Sequence, residues 1–165
     1  AAESVPTRYT CEAVEHTGIS PVVEISNVPP SSEALALILE YPNSVGGTFT
    51  HWVMWNLPPD TRRIPEDRST NPTLPSLGGA RQGLNGVGQV GYVGLCPPPS
   101  EEPQQYWITL YALRRQLAIP GGSERDPVDD ELETATLASR RLITSFRRPF
   151  EGDNERETTT RTPLE

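Results

Sequence analysis

The chain has 165 residues and carries 14 basic against 22 acidic side chains, a net charge of −8. That length suits one domain burying roughly 70% of its unfolded surface; no apolar run approaches the ~18 residues of a membrane span, and the acidity argues against a general nucleic-acid binder, which carries a basic stripe. A hydrophobic fraction of 35% beside 18 Pro and 13 Gly points to a loop-rich, mainly β domain and not a helical bundle.

The chain opens Ala1-Ala2-Glu3-Ser4, small residues of the kind found around a signal-peptidase site. A removed secretion signal is one reading and a shortened chain the other, so a secreted or secretory-lumen location stands beside a cytoplasmic one. Residues 1–6 read as a loose arm. Cys11 and Cys96 are the two cysteines. They form either one disulfide across a long loop, in an oxidising compartment, or two buried thiols; the disulfide is the reading carried forward.

Pro21 to Ile25 is a short β-branched run, and Asn27-Val28-Pro29-Pro30-Ser31-Ser32 a turn cluster. Ala34-Leu35-Ala36-Leu37-Ile38-Leu39 is apolar at both parities, the pattern of a strand buried on both faces. Thr48 to Leu57 is the strongest strand. Strict alternation puts His51, Val53, Trp55 and Leu57 on one face and Trp52 and Met54 on the other. Residues 60–104 are rich in Gly and Pro, a stretch that must be functional or hold short strands. Gln105 to Leu113 is a second strand apolar on both sides.

Asp126-Pro127 opens the one predicted helix, with Asp126 as N-cap and Pro127 in the first turn. Its last turn is expected to hold Arg140 and Arg141, where positive charge complements the helix dipole. Leu142 to Phe146 is expected to return to the sheet. From Pro149 the chain is polar and Thr/Glu-rich and reads as disordered, which divides it into a domain over 1–148 and a tail over 149–165. Leu164-Glu165 has the look of a vector-encoded end and is left out of fold reasoning.

Three chemistries lack their residues. All 14 basic residues are Arg, so lysine Schiff-base chemistry is impossible. Two His and two Cys without ligand spacing support no metal site. Gly86-Val87-Gly88-Gln89-Val90-Gly91 spells G-x-G-x-x-G, yet Tyr92-Val93-Gly94-Leu95-Cys96-Pro97-Pro98 follows where a phosphate-binding helix would have to begin. No cofactor is expected. His51 remains as the residue of interest: mid-strand, half-buried or more, with Tyr41, Trp52 and Trp55 near enough in sequence to line an amphipathic pocket. Core packing is the competing reading for each of these rings.

Cys11-Glu12, Ile19-Ser20-Pro21, Val28-Pro29-Pro30, Ala34 to Leu37, Phe49-Thr50-His51-Trp52-Val53, Asn56-Leu57-Pro58 and Gly91 to Pro98 form an ordered series. It closely resembles the phosphatidylethanolamine-binding protein family, nearest its bacterial-type, Raf-kinase-inhibitor-like branch, from about Thr10 to Arg148. The resemblance implies an antiparallel Greek-key β-sandwich with a C-terminal helix, and a small pocket for anions such as phosphate head groups. Members of the family are linked to kinase regulation, flowering control and fungal secondary-metabolite clusters. His51, Pro97 and Tyr106 match the family pocket. Its Asp-Pro-Asp is here Tyr41-Pro42-Asn43, its His-Arg-Tyr is Gln104-Gln105-Tyr106, and its Gly-Pro before Cys-Pro-Pro is Gly94-Leu95. Two acids and a histidine are thus replaced by neutral groups, and their charge-assisted hydrogen bonds go with them.

Two functions follow. The first is a module binding a small, partly apolar, carboxylate-bearing molecule. Its walls would be Tyr41 and Trp55, and its contacts Asn43, His51, Pro97, Gln104 and Tyr106. The second is a secreted enzyme that isomerises, cyclises or dimerises an activated carbonyl such as an anhydride. There His51, near its ordinary pKa of ~6.5, is the base, Tyr106 stabilises the oxyanion, and Arg140 or Arg141 attracts the substrate. A protein-interaction regulator is a third, resting on the kinase-linked relatives alone.

Overall fold

A strand that is apolar on both sides, as Ala34 to Leu39 is, requires two cores, one on each side of a sheet, and the chain builds them. The computed structural model describes residues 5–11, 19–44, 47–67, 69–100 and 102–148, with the side chains of 43 and 44 outside that description. The expected disordered tail, 149–165, lies outside the described residues, as do residues 1–4 of the arm.

The strands are β1 (Val23–Glu24), β2 (Ala34–Ser44), β3 (Gly47–Leu57), β4 (Arg63–Ile64), β5 (Thr73–Leu74), β6 (Ala80–Gln82), β7 (Gln104–Leu113) and β8 (Thr136–Phe146). A single α-helix, α1 (Arg125–Ala135), precedes β8. Six strands form one antiparallel sheet in the order β5-β6-β3-β2-β7-β8, and β1 pairs with β4 in a second, small sheet. Within the large sheet β2, β3, β6 and β7 stand as β7-β2-β3-β6, the fourth strand returning beside the first, which is Greek-key order.

Strand β2 sits at the centre. Leu35, Leu37 and Leu39 enter one core with Trp52, Met54, Ile25 and Ile64, beneath the small sheet. Ala34, Ala36 and Ile38 enter the other with Val53, Trp55, Val128 and Leu132, beneath α1. The small residues Ala34 and Ala36 leave room on the helix side for the Trp55 indole, whose Nε1–H donates to the Ile119 carbonyl at 3.1 Å. Glu40 and Arg125 close this side with a buried ion pair that ties α1 to the sheet.

Two expectations are corrected here. The helix begins at Arg125 and ends at Ala135; Glu124 is its N-cap residue, without a side-chain cap bond, so Asp126 lies inside the helix. Arg140 and Arg141 belong to strand β8 and not to a last helical turn. Ten register pairs with β7 form over Thr136–Phe146, and that ladder outweighs the helical preference of Leu137-Ala138. The second correction concerns β3. Trp52 pairs with Leu39 but Thr50 with Glu40, so His51 is an extra residue, a bulge. A second irregularity lies opposite Ala36, where Asn56 adopts φ 57°. The Asn56 side chain holds that turn by two bonds to the Leu117 backbone, at 3.0 and 2.8 Å. Strict alternation therefore fails twice. His51 and Leu57 lie on the Trp52 and Met54 side, and only Val53 and Trp55 face the helix.

Candidate functional site

The bulge in β3 sets His51 against two aromatic rings. Its imidazole meets the Phe49 ring edge-on at 4.8 Å between centroids and the Tyr106 ring at 5.4 Å. Tyr41, opposite Phe49 in the β2–β3 register, lies 5.2 Å from Tyr106. Phe49, His51, Tyr41 and Tyr106 are thus delivered by three adjacent strands to the same side of the sheet. Facing them runs the segment Val93 to Pro98. Between the two lies a cavity of about 430 Å³, within the range that holds a small organic ligand. Val93, Gly94, Cys96, Pro97 and Pro98 form its far wall, and Val87, 57% exposed, stands at its rim.

That wall is held from both ends. The Val93 N–H donates to the His51 carbonyl at 2.9 Å, and His51 Nδ1 lies 2.9 Å from the Val93 carbonyl. Further along, Leu95 N–H donates to Tyr9 O at 3.2 Å and Cys11 N–H to Leu95 O at 3.1 Å. The Cys11–Cys96 disulfide, Cα–Cα 5.3 Å, adds a covalent tie. Gly94 allows the close crossing of the two segments: a Cβ there would sit tightly, 3.1 Å from the Thr10 carbonyl carbon and 3.2 Å from Cys11 N. The Tyr92 hydroxyl donates to the Tyr9 carbonyl from behind the wall.

The electrostatics follow from burial. His51 is 5% exposed, and desolvation lowers its pKa to about 4, the bond to Val93 opposing this only partly. The ring is neutral at pH 7, and the expectation of a base near its ordinary pKa is corrected. A carbonyl only accepts, so Nδ1 carries the single ring proton and Nε2 is left as an acceptor. Tyr106 is 1% exposed and burial raises its pKa, so it stays a phenol. The Tyr41 hydroxyl donates to Gln104 Oε1 at 2.9 Å.

The structure distributes the expected site residues unevenly. Tyr41, His51, Pro97 and Tyr106 line the cavity, with Gln104 behind Tyr41 as its hydrogen-bond partner. Trp55 does not: the bulge turns it to the helix core, where it is fully buried. The Asn43 side chain lies outside the described residues. Arg140 and Arg141 do not line the cavity; Arg141 instead stacks on Trp107 at 4.0 Å and bonds Thr109 Oγ1 at 3.2 Å. Phe49, Val87, Val93, Cys96 and Pro98 line it without having been singled out for it. Phe49 was within reach, since Phe49 and His51 flank one residue in a strand, whereas Val87 depends on a loop path.

The G-x-G-x-x-G loop cradles nothing. Gly86 N–H goes to Thr50 O, Gly88 N–H to Asn85 O and Gly91 N–H to Gly83 O, and the Asn85 Oδ1 accepts from Val87 and Gln89. These donors are spent on carbonyls and an amide of the protein itself, Thr50 of strand β3 among them. Among the described residues no cluster of three His, Cys, Asp or Glu side chains is placed to hold a metal, and no helix is long and apolar enough to cross a membrane.

A family model described as phosphatidylethanolamine-binding protein matches residues 1–147. A UPF0098 protein of Aquifex aeolicus is 35% identical over 147 residues, covering 88% of this chain and 82% of the relative. Another, from Methanothermobacter thermautotrophicus, is 35% identical over 144 residues, covering 87% and 91%. Among solved structures, the PEBP homologue CT736 of Chlamydia trachomatis superposes with a TM-score of 0.75 at 28% identity, covering 89% of this chain and 91% of that one. YbcL of Escherichia coli superposes with a TM-score of 0.78 at 24% identity, covering 88% and 92%, and is similar in fold.

Proposed function

Because the chain belongs to the phosphatidylethanolamine-binding protein family, we propose that it binds a small, largely apolar molecule in the cavity beside His51. The observation that carries this reading is the convergence of Tyr41, Phe49, His51 and Tyr106 on a cavity of about 430 Å³ whose opposite wall is tied down at Val93 and at Cys96. A pocket held in shape before the ligand arrives loses little ordering entropy on binding. The aromatic and proline walls supply apolar area, and the few polar atoms orient what enters.

A role for His51 as a general base gains nothing from this geometry. A ring whose conjugate acid has a pKa of about 4 is a weak acceptor for a proton on carbon. A carboxylate-bearing ligand would find no cation in the cavity lining. The Cys11–Cys96 disulfide supports a location in an oxidising compartment.

Titration of 15N-labelled protein with p-cresol, O-phosphorylethanolamine and 4-methylbenzoate tests the reading. Amide shifts confined to Val93, Gly94 and Tyr106 for at least one probe are expected. Shifts at none of these positions with all three probes would overturn it.

A further inference from the structure

The polar atoms of the cavity have a sign. Three side chains bring oxygen or nitrogen to it, and their hydrogen-bonding capacity can be counted from the bonds already made. His51 donates through Nδ1 to Val93, which leaves Nε2 as a pure acceptor. Tyr41 donates its hydroxyl proton to Gln104, so toward anything else its oxygen also accepts. Tyr106 has neither role filled: its hydroxyl has no hydrogen-bond partner among the described residues, although the residue is 1% exposed.

Neither His51 Nε2 nor the Tyr106 hydroxyl is among the polar atoms sealed inside without a partner. Both residues line the cavity, so both atoms are reached from it. When an apolar body fills the cavity and displaces water, a polar group left unpaired costs about 1–3 kcal/mol, a cost that a ligand supplying the partner avoids. No guanidinium lines the cavity. Arg148 donates to the Cys96 sulfur at 3.6 Å but is not itself a lining residue. An anion placed against Phe49, Val93 and Pro97 would lose its hydration without gaining a counter-charge, a larger cost than either unpaired hydrogen bond.

From this count we infer that the cavity selects an uncharged ligand bearing a hydroxyl group, an alcohol or phenol on an apolar body, whose O–H donates to His51 Nε2 while its oxygen accepts from Tyr106. The inference rests on the binding site proposed above and adds the charge and hydrogen-bonding character of what fills it. It sets this pocket apart from one built for a phosphate or carboxylate. Hydroxyl discrimination here also runs in one direction. The donorless analogue leaves Nε2 and the phenol unpaired again, and sites built to pair a hydroxyl reject molecules lacking it.

The test is a set of isothermal titrations at pH 7 with p-cresol, toluene, 4-methylbenzoate and inorganic phosphate. They are run on the wild-type chain, on Tyr106→Phe and on Arg148→Gln. The expected order is p-cresol ahead of toluene by roughly three- to tenfold, the value of one or two neutral hydrogen bonds, with 4-methylbenzoate at least tenfold weaker than p-cresol and phosphate unbound. Tyr106→Phe should reduce the p-cresol preference over toluene while leaving toluene affinity unchanged, and Arg148→Gln should change neither.

Equal affinity for p-cresol and toluene would overturn the hydroxyl assignment. Tighter binding of 4-methylbenzoate or phosphate, lost in Arg148→Gln, would replace it with an anion site at the rim, while the cavity reading itself would stand. Binding of none of the four would overturn both.

Discussion

His51 and Val93 hold each other through two hydrogen bonds, one from the Val93 N–H to the His51 carbonyl and one between His51 Nδ1 and the Val93 carbonyl, each 2.9 Å. The first fixes the wall of the cavity to strand β3. The second sets the tautomer of the imidazole and therefore what the cavity can recognise. Both depend on the bulge that turns His51 to the side of Tyr41 and Tyr106. A strand without the extra residue would send the ring into the helix core.

Stability should fall with acidification through this one ring. The folded imidazole takes a proton only near pH 4, the unfolded one near 6.5. Between those values the unfolded chain binds more protons, so unfolding becomes easier as pH falls from about 6.5 to about 4, by about 3 kcal/mol in total. Chemical denaturation at pH 7, 5.5 and 4 should show this loss in the wild-type chain and a shallower one in His51→Asn. Parallel pH profiles for the two would contradict it.

Gly86 faces Phe49, and the contact sets the cavity's width. A Cβ at Gly86 would lie 2.3 Å from Phe49 Cε2, so Gly86→Ala must push the phenyl ring aside, and the ring lines the cavity. We expect p-cresol affinity to drop several-fold in calorimetry while the urea midpoint moves little. A change in midpoint with affinity intact would mean that the ring yields away from the cavity.

Trp55→Phe separates the two faces of the sheet. The indole is fully buried under α1, and its Nε1–H bond to Ile119 would be lost. The substitution should cost roughly 1–3 kcal/mol of stability in denaturant titration, from the lost indole hydrogen bond and the volume removed, with Ile119 O still accepting from Arg81 at 2.6 Å. It should leave p-cresol affinity unchanged. Weakened binding would place the indole functionally at the pocket.

Glu40 and Arg125 are the buried ion pair on that helix side, with Glu40 side-chain exposure of 7% and Arg125 of 21%. Glu40→Gln removes the charge that Arg125 was desolvated to meet. Losing one partner of a buried pair typically costs about 3 kcal/mol, reduced here because Asp129 also holds Arg125 at 3.2 Å. Denaturant titration that shows no loss would mean the pair contributes nothing net to the docking of α1.

The fold was largely legible before any coordinate. Ala34 to Leu39 announced a two-faced strand and occupies the centre of the sheet with a core on each side. The motif series from Cys11 to Pro98 led to the family and to the Greek-key order. Cys11 and Cys96 allowed a disulfide or two thiols, and the disulfide is what the structure holds. What escaped was register. Alternation assumes an unbroken ladder, and nothing in Thr50-His51-Trp52 signals that β2 supplies one residue fewer opposite them. That single slip put His51 with Trp55 on paper and with Tyr106 in the molecule. The second slip, at Asn56, carries a weak signal, since Asn is among the few residues that accept a positive φ. The end of strand β8, Leu142 to Phe146, was expected in the sheet and lies there. Its first part, Thr136 to Arg141, was hidden for a different reason: Leu137 to Arg141 are exposed at the sheet edge, so burial periodicity could not reveal it, and its ladder with β7 is a non-local pairing.

The central claim is that the His51 ring is neutral at pH 7, carries its proton on Nδ1 and presents Nε2 as an acceptor. Imidazole 15N chemical shifts report protonation and tautomer directly, and the His51 resonances are identified by their loss in His51→Asn. The account predicts an Nδ1 signal of the protonated, pyrrole type and an Nε2 signal of the bare, pyridine type, both unchanged from pH 8 to pH 6. Two protonated nitrogens at pH 7, or the proton on Nε2, would contradict it.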